Sequence, residues 1–242
     1  MSPLSNRVPR SDKVLFLFYD FETTQNTKRT NTSFENVPNL LCVHQFCAVC
    51  EEDDDVEVDS RRCGKRKHSF CTDPTDDLIP YIFKSRPWDD RIVTIAHNTK
   101  AFDILFLMNS LVRMKLLPKL LTMNCRKIMC LRVENVKLLD SLNYLAIPLR
   151  KFPEAFNLTA EKSCYPHLLN TDKNMNYVSP TTEISHYDVD QMHESERKEI
   201  QSCSETTARS EVFANRRLLE RYWKTHVAVL RETCRTFRRH VL

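Results

Sequence analysis

VLFLFYDFETT, residues 14–24, carries the reading of the fold. An apolar, aromatic and β-branched run without alternation reaches Tyr19, meets the triplet Asp20-Phe21-Glu22, and passes into Thr, Gln, Asn and Lys. Such a run suits a strand covered on both faces, and hence a central one. Residues two apart in a strand face the same way, so Asp20 and Glu22 present both carboxylates to one side. Charge at the end of a buried strand is unfavourable unless something compensates it. Taken alone, the pair fits equally a strand that simply leaves the core.

A second stretch changes that balance. In AHNTKAFD, residues 96–103, another buried strand (RIVTIA, 91–96) ends, and Asp103 falls where a helix begins. Ile104, Leu107, Met108, Leu111 and Met114 keep helical spacing after it. Three acids placed where buried elements emerge can converge on divalent cations. Hard oxygen donors suit Mg²⁺ or Mn²⁺, and a pair of such ions roughly 3.5–4 Å apart can activate a water and stabilise the leaving oxygen of a phosphodiester.

Working outward, residues 40–49 (LLCVHQFCAV) predict a strand, and EEDDDVEVDSRR after it a solvated loop or ribbon tip. LIPYIF, following TDPTDD, predicts a short helix interrupted by Pro80. KIMCLRV (127–133) and VKLLDSL (136–142), separated by Glu-Asn, read as a hairpin. Residues 170–210 are polar and irregular, with few apolar anchors. Residues 211–240 hold neither proline nor glycine, and Leu218, Leu219, Tyr222, His226, Val229, Leu230 and Phe237 keep helical spacing, which predicts one long C-terminal helix. Strands, a crossing helix, further strands and a final helix imply a mixed-sheet α/β domain with flanking helices. Residues 1–12 are expected to be a flexible N-terminus and 13–242 one domain.

The chain of 242 residues, 41% hydrophobic and 28% charged, has the composition of a globular protein. No run approaches the roughly eighteen apolar residues of a membrane span, and MSPLSNRVPRSDK lacks the apolar core of a signal peptide, so an intracellular, non-secreted protein without a membrane partner is expected. In that setting ten cysteines read as reduced thiols or metal ligands. The net charge of +4 does not by itself imply a polyanion, although RRCGKRKH, PLRK and RTFRRH are compatible with phosphate contacts. Ordinary usage of about 7% would give about seventeen glycines. This chain has one, Gly64, so its turns rely on Asn, Asp, Ser and Pro.

The set YDFETT, AHNTKAFD, LLDSLNYLAIPLRKFPEAFNL, CYPHLLN and RYWKTHVAVLRETCRTFRRHVL, in that order, closely resembles the 3′–5′ exonuclease domain of protein-primed family B DNA polymerases. The nearest likeness is to the version found in Polinton (Maverick) transposons and related viral or plasmid elements. The resemblance implies a ribonuclease H-like fold and removal of nucleotides from a DNA 3′ end with two metal ions, Mg²⁺ or Mn²⁺. It assigns Asp20, Glu22 and Asp103 as metal ligands, and Asn98 and Phe102 as neighbours of the single-stranded 3′ terminus. Lys151 matches a basic position beside the scissile phosphate, with an ordinary surface lysine as the alternative. Asp140 and Ser141 also match the family pattern, though a turn-facing Asp explains them without catalysis; Tyr165, Pro166 and His167 are structural or DNA-facing.

Three departures qualify the resemblance. The family's third motif is Tyr-x-x-x-Asp, in which the tyrosine orients the attacking water; here Tyr222 is followed at the same spacing by His226. Imidazole is a poorer ligand for Mg²⁺ than carboxylate, so activity should be impaired or metal preference shifted toward Mn²⁺ or Zn²⁺. A solvent-tolerant histidine outside the chemistry is the other reading, and the domain is then a noncatalytic nucleic-acid-binding or interaction module. In the second motif, Thr99 and Ala101 stand where relatives carry glycine.

Within 47–71, Cys47, Cys50 and Cys63 resemble a zinc knuckle whose second pair is broken at Ser60. His68 or Cys71 is the candidate fourth Zn²⁺ ligand, against the alternative of buried free cysteines. The palm motif that supplies polymerase metals is not found, so DNA polymerisation is not expected of this chain alone. A terminal protein or a separate polymerase domain is the further partner the resemblance suggests.

Overall fold

A computed structural model describes residues 13–28, 30, 34–48, 59–60, 63–86, 90–98, 103–124, 127–159, 164–180, 182–189, 192–210 and 212–241. The segment 1–12, most of the acidic loop, Cys50, Thr99, Ala101 and Phe102 lie outside them. In chain order the elements are β1 (Val14–Lys28), β2 (Phe34–Cys47), β3 (Lys67–Phe70), α1 (Pro74–Phe83), β4 (Arg91–Ala96), α2 (Asp103–Arg113), β5 (Leu120–Asn124), β6 (Lys127–Val133), β7 (Val136–Asp140), α3 (Phe152–Ala155), β8 (Val178–Ser179), α4 (Glu194–Ser210), β9 (Phe213–Ala214) and α5 (Asn215–Val241). Seven strands form one sheet in the order β3-β2-β1-β4-β7-β6-β5. β1, β4 and β7 are parallel neighbours, and β6 and β5 add antiparallel strands, so the sheet is mixed and the expected α/β class holds.

Two compact units divide the chain. The first comprises Met1–Tyr19, Val43–Phe70 and Thr75–Ala146. Its core gathers Leu15, Leu17 and Phe18 of β1, Ile92 and Ala96 of β4, and Leu131, Val133, Val136 and Leu138 of the hairpin. Ile104, Leu107 and Leu111 form the buried stripe of α2, and Leu78, Ile79 and Ile82 that of α1. Pro80 lies inside α1 without ending it, a difference from the interrupted helix read from sequence. β1 pairs with β4 in the register Phe16↔Val93 and Phe18↔Ile95, and β4 with β7 as Thr94↔Leu138 and Ala96↔Asp140.

The second unit comprises Asp20–Cys42, Cys71–Pro74 and Ile147–Leu242. β1 does not stop at the acids: the strand runs on to Lys28, with Phe21 and Thr24 buried and Asp20 and Glu22 half-buried. A second difference is α4, which lies in the segment 170–210 read as irregular. This helix has almost no apolar stripe; Ile200 and Cys203, with Met192, pack against Cys164, Tyr187 and Val189. Glu194 and Glu196 sit in its first turn, and Lys198 pairs with Glu194 across one turn. Charge placement and i,i+4 pairing support it where hydrophobic periodicity does not. Cys164 and Cys203 form a disulfide, which corrects the reading of those two as reduced thiols or metal ligands.

With a single glycine, the left-handed backbone positions fall mostly to other residues. Asn98, Lys115, Glu134, Asn157 and Asp188 all have positive φ, at about 1–2 kcal/mol each for a side chain that resists it and less for Asn or Asp. Glu134 makes the tight turn of the β6–β7 hairpin. Among the described residues no helix is long and apolar enough to cross a membrane.

Candidate metal site

The site lies within the second unit and is assembled from one strand, one helix and one loop. Alternation along β1 turns Asp20 and Glu22 to the side opposite the buried Phe21. On α5, Leu219, Trp223, Val227 and Leu230 are buried one turn apart, and this stripe fixes the rotation of the helix. Tyr222 and His226, four residues apart, share another face of it. His226 Nδ1 lies 3.8 Å from Asp20 Oδ2. One donor atom from each of Asp20, Glu22 and His226 falls within 4.8 Å of the others.

An aromatic wall backs this cluster. The Tyr222 and His226 rings are 4.1 Å apart, and His167 and Tyr165 follow at 5.5 and 5.8 Å from Tyr222. The Tyr222 hydroxyl and His167 Nε2 are 3.4 Å apart. Burial first, then the negative charges of Glu22 and Asp20, push the Tyr222 phenol far above its ordinary range, so it keeps its proton. Tyr165 is raised by the same burial and by Glu22, against the opposing effect of its bond to Asn215. His167 keeps part of its surface in solvent, yet crowding of its ring and the nearby His226 hold it below the usual histidine range, while the Asp188 charge works the other way.

Asn215, the first residue of α5, anchors the wall. Its Oδ1 accepts from the Tyr165 hydroxyl at 2.7 Å, and its Nδ2 donates to the carbonyls of Leu169 and Asn174 at 3.0 and 2.8 Å. Its own N–H donates to Tyr177 O at 2.9 Å. Asn170 performs a similar task on the strand side, donating to Thr23 O and accepting from Asn39 Nδ2. Both asparagines are buried, and both link parts of the chain far apart in sequence.

Donor chemistry and spacing fit a divalent cation. Two donors on one ion with bonds of about 2.0–2.2 Å stand about 3–3.4 Å apart, so side-chain rotation is enough to close the cluster around it. Asp20, Glu22 and His226 would hold the ion.

The remaining candidates lie on their own elements. Asp103 is the first residue of α2 and belongs to the first unit. So does Asn98, exposed and at positive φ, whose N–H donates to Asp140 Oδ1 at 2.9 Å. The same oxygen accepts from Leu142 N at 2.9 Å, and Ser141 Oγ donates to Ala96 O at 3.0 Å and contacts His97 Nδ1 at 2.9 Å. Asp140 and Ser141 therefore cap a turn and hold the His97-Asn98 corner, which is work for a buried carboxylate without catalysis. Lys151 is exposed at the start of α3 in the second unit. Cys47 and Cys63 are buried together in the first unit, Cys50 lies outside the described residues, and Cys71 is exposed in the second unit. Among the described residues, Asp20, Glu22 and His226 are the group of His, Cys, Asp or Glu placed to hold a metal. Sequence reasoning left Tyr165 and His167 undecided and missed Asn215; a polar residue at the start of a long helix was the available signal for Asn215.

Residues 89–241 match the family described as DNA polymerase type B, organellar and viral. No curated protein matches the sequence. Among solved structures, the orthorhombic crystal form of Phi29 DNA polymerase is similar with a TM-score of 0.51 and 14% identity, over 93% of this chain and 31% of that one. Phi29 DNA polymerase complexed with single-stranded DNA is similar at 0.51 and 13%, over the same shares. At such identities the likeness shows the fold alone. The chain spans about a third of the length of those polymerases.

Proposed function

Because the chain belongs to the organellar and viral type B DNA polymerases, we propose that it is the exonuclease-type domain of such an enzyme, acting hydrolytically on the single-stranded 3′ end of DNA. The observation that carries this reading is the meeting of Asp20, Glu22 and His226 beside the Tyr222 ring. A bound divalent cation would supply Lewis-acid activation of water and of the phosphodiester.

The protein groups do the rest. Asp20 and Glu22 contribute two negative charges from adjacent same-side positions of one strand, which attract a cation and repel unaccompanied phosphate. Tyr222, kept protonated, offers a hydroxyl that can orient a water or a phosphate oxygen without itself accepting charge. Tyr165 and His167 hold the Tyr222 ring from behind. His226 gives a neutral nitrogen where the family has a carboxylate, so the site carries one charge fewer and hydrolysis with Mg²⁺ is impaired. In the same proposal Asp103 is a further metal ligand, and Asn98, Phe102 and Lys151 contact DNA. A terminal protein or a polymerase domain is the partner, and the place of action is intracellular.

The second reading, a noncatalytic nucleic-acid-binding module, is favoured by His226 itself. Digestion of a 3′-unprotected single-stranded oligonucleotide in Mn²⁺, with Asp20→Ala as the control, separates the two. Stepwise shortening from the 3′ end that disappears in the variant supports the exonuclease. Binding of the oligonucleotide with no shortening in Mn²⁺ or Mg²⁺ supports the module.

A further inference from the structure

The Asp20–Glu22–His226 cluster differs in kind from an all-oxygen site. Two of its donors are hard carboxylates and the third is an imidazole nitrogen. Mg²⁺ demands near-octahedral oxygen coordination and keeps its waters, whereas Mn²⁺ and above all Zn²⁺ accept mixed nitrogen and oxygen donors in smaller numbers. Two carboxylates and one imidazole, leaving coordination positions open, match that second group of ions.

Geometry favours use of the nitrogen. Nδ1 is 3.8 Å from Asp20 Oδ2, about 0.4–0.8 Å more than two donors on one ion need, a gap that side-chain rotation closes. The His226 ring is packed against Tyr222 at 4.1 Å, and Tyr222 is in turn held by His167 and Tyr165. An imidazole confined in this way loses little side-chain freedom on binding, so its donor counts for more than that of a mobile surface histidine.

We propose that Asp20, Glu22 and His226 form a mononuclear site selective for a transition-metal cation, Mn²⁺ or Zn²⁺, over Mg²⁺. The inference rests on the metal-site part of the proposed function but does not require hydrolysis. Selectivity comes from the nitrogen, while the two carboxylates give charge attraction to all three ions alike.

The test is calorimetric titration of the full chain with MnCl₂, ZnCl₂ and MgCl₂ separately, without DNA. Expected for the unaltered protein is at least hundredfold tighter binding of Zn²⁺ than of Mg²⁺, with Mn²⁺ between them. His226→Ala and the more conservative His226→Gln should each weaken Zn²⁺ at least tenfold and change Mg²⁺ by less than threefold; Asp20→Asn should weaken all three. Co²⁺, as a spectroscopic substitute for Zn²⁺, distinguishes this site from the cysteines: thiolate ligation produces intense near-ultraviolet charge-transfer absorption, and carboxylate–imidazole ligation does not. Equal affinity for Mg²⁺ and Zn²⁺, Zn²⁺ binding unchanged in both His226 variants, or a Co²⁺ spectrum that is thiolate-type throughout and unchanged by His226→Ala overturns the inference. Hydrolysis in Mg²⁺ with no metal selectivity would overturn this inference and leave the exonuclease reading standing. Selective binding without hydrolysis in any metal would do the reverse.

Discussion

His226→Asp is the most informative substitution. An aspartate oxygen stands as many bonds beyond Cβ as the histidine Nδ1, so the new carboxylate reaches the point now 3.8 Å from Asp20 Oδ2. Two unit charges at that separation repel by about 4 kcal/mol at an effective dielectric constant of 20 and about 1 kcal/mol in bulk water. The side chains of His226 and Asp20 are 29% and 23% exposed, which places the pair between these limits. The metal-free variant should therefore be less stable by about 2–3 kcal/mol, which for a chain of this size lowers Tm by roughly 4–12 °C.

Millimolar Mg²⁺ should return most of that loss in the variant and change the unaltered protein little. In the exonuclease assay the same carboxylate restores a hard donor beside a tyrosine of unchanged spacing. Recovery of even about 1.4 kcal/mol of transition-state stabilisation is a tenfold gain in rate. A scanning melt with and without Mg²⁺, followed by the oligonucleotide assay in Mg²⁺ and then Mn²⁺, reads both effects. Asp20→Ala added to the variant should abolish the Mg²⁺-dependent stabilisation and the rate gain together. A variant that melts like its parent in both conditions, with no gain in either metal, would refute the reasoning and mark loss of the acid as a symptom of decay.

Asn215→Ala removes partners from the Tyr165 hydroxyl and from the Leu169 and Asn174 carbonyls at a fully buried position; urea unfolding should show a loss of about 3 kcal/mol, and Asn215→Asp should recover only the Tyr165 bond. Reduction of Cys164–Cys203, which closes 39 residues, should destabilise the chain by about 3–4 kcal/mol, read as a lower urea midpoint in dithiothreitol that Cys203→Ser reproduces without reductant. His68 is held below its ordinary value of 6.5 mainly by burial, although its bond to Lys65 O opposes the shift. Below that pH the unfolded chain therefore binds a proton the folded one refuses, and stability present above about 6.5 falls as pH drops; in His68→Gln the fall should be shallower when urea midpoints are compared between pH 7.5 and 5.

Legibility followed the range of the interaction. The long apolar run of β1, the helical spacing of α2 and α5, and the β6–β7 hairpin are written in neighbouring residues, because backbone geometry repeats every two or 3.6 residues and burial marks each repeat. So is the shared side of Asp20 and Glu22, and the shared face of Tyr222 and His226. β3 and β5 left no such mark: β5 is exposed along its whole length and pairs only as an outer strand, so no apolar alternation is required of it. α4 rests on end charges and a short apolar contact that reads as irregular sequence.

Tertiary structure alone decided what joins distant segments. Nothing local couples Cys164 to Cys203, Tyr165 to Asn215, or Asp20 to His226 across more than two hundred residues. The buried Leu219–Trp223–Val227–Leu230 stripe sets the rotation of α5, and with it the direction in which His226 points. Sequence spacing showed that His226 and Tyr222 face one way; only packing of that stripe turned that face to the two carboxylates, because a helix side is chosen by what the opposite side must bury.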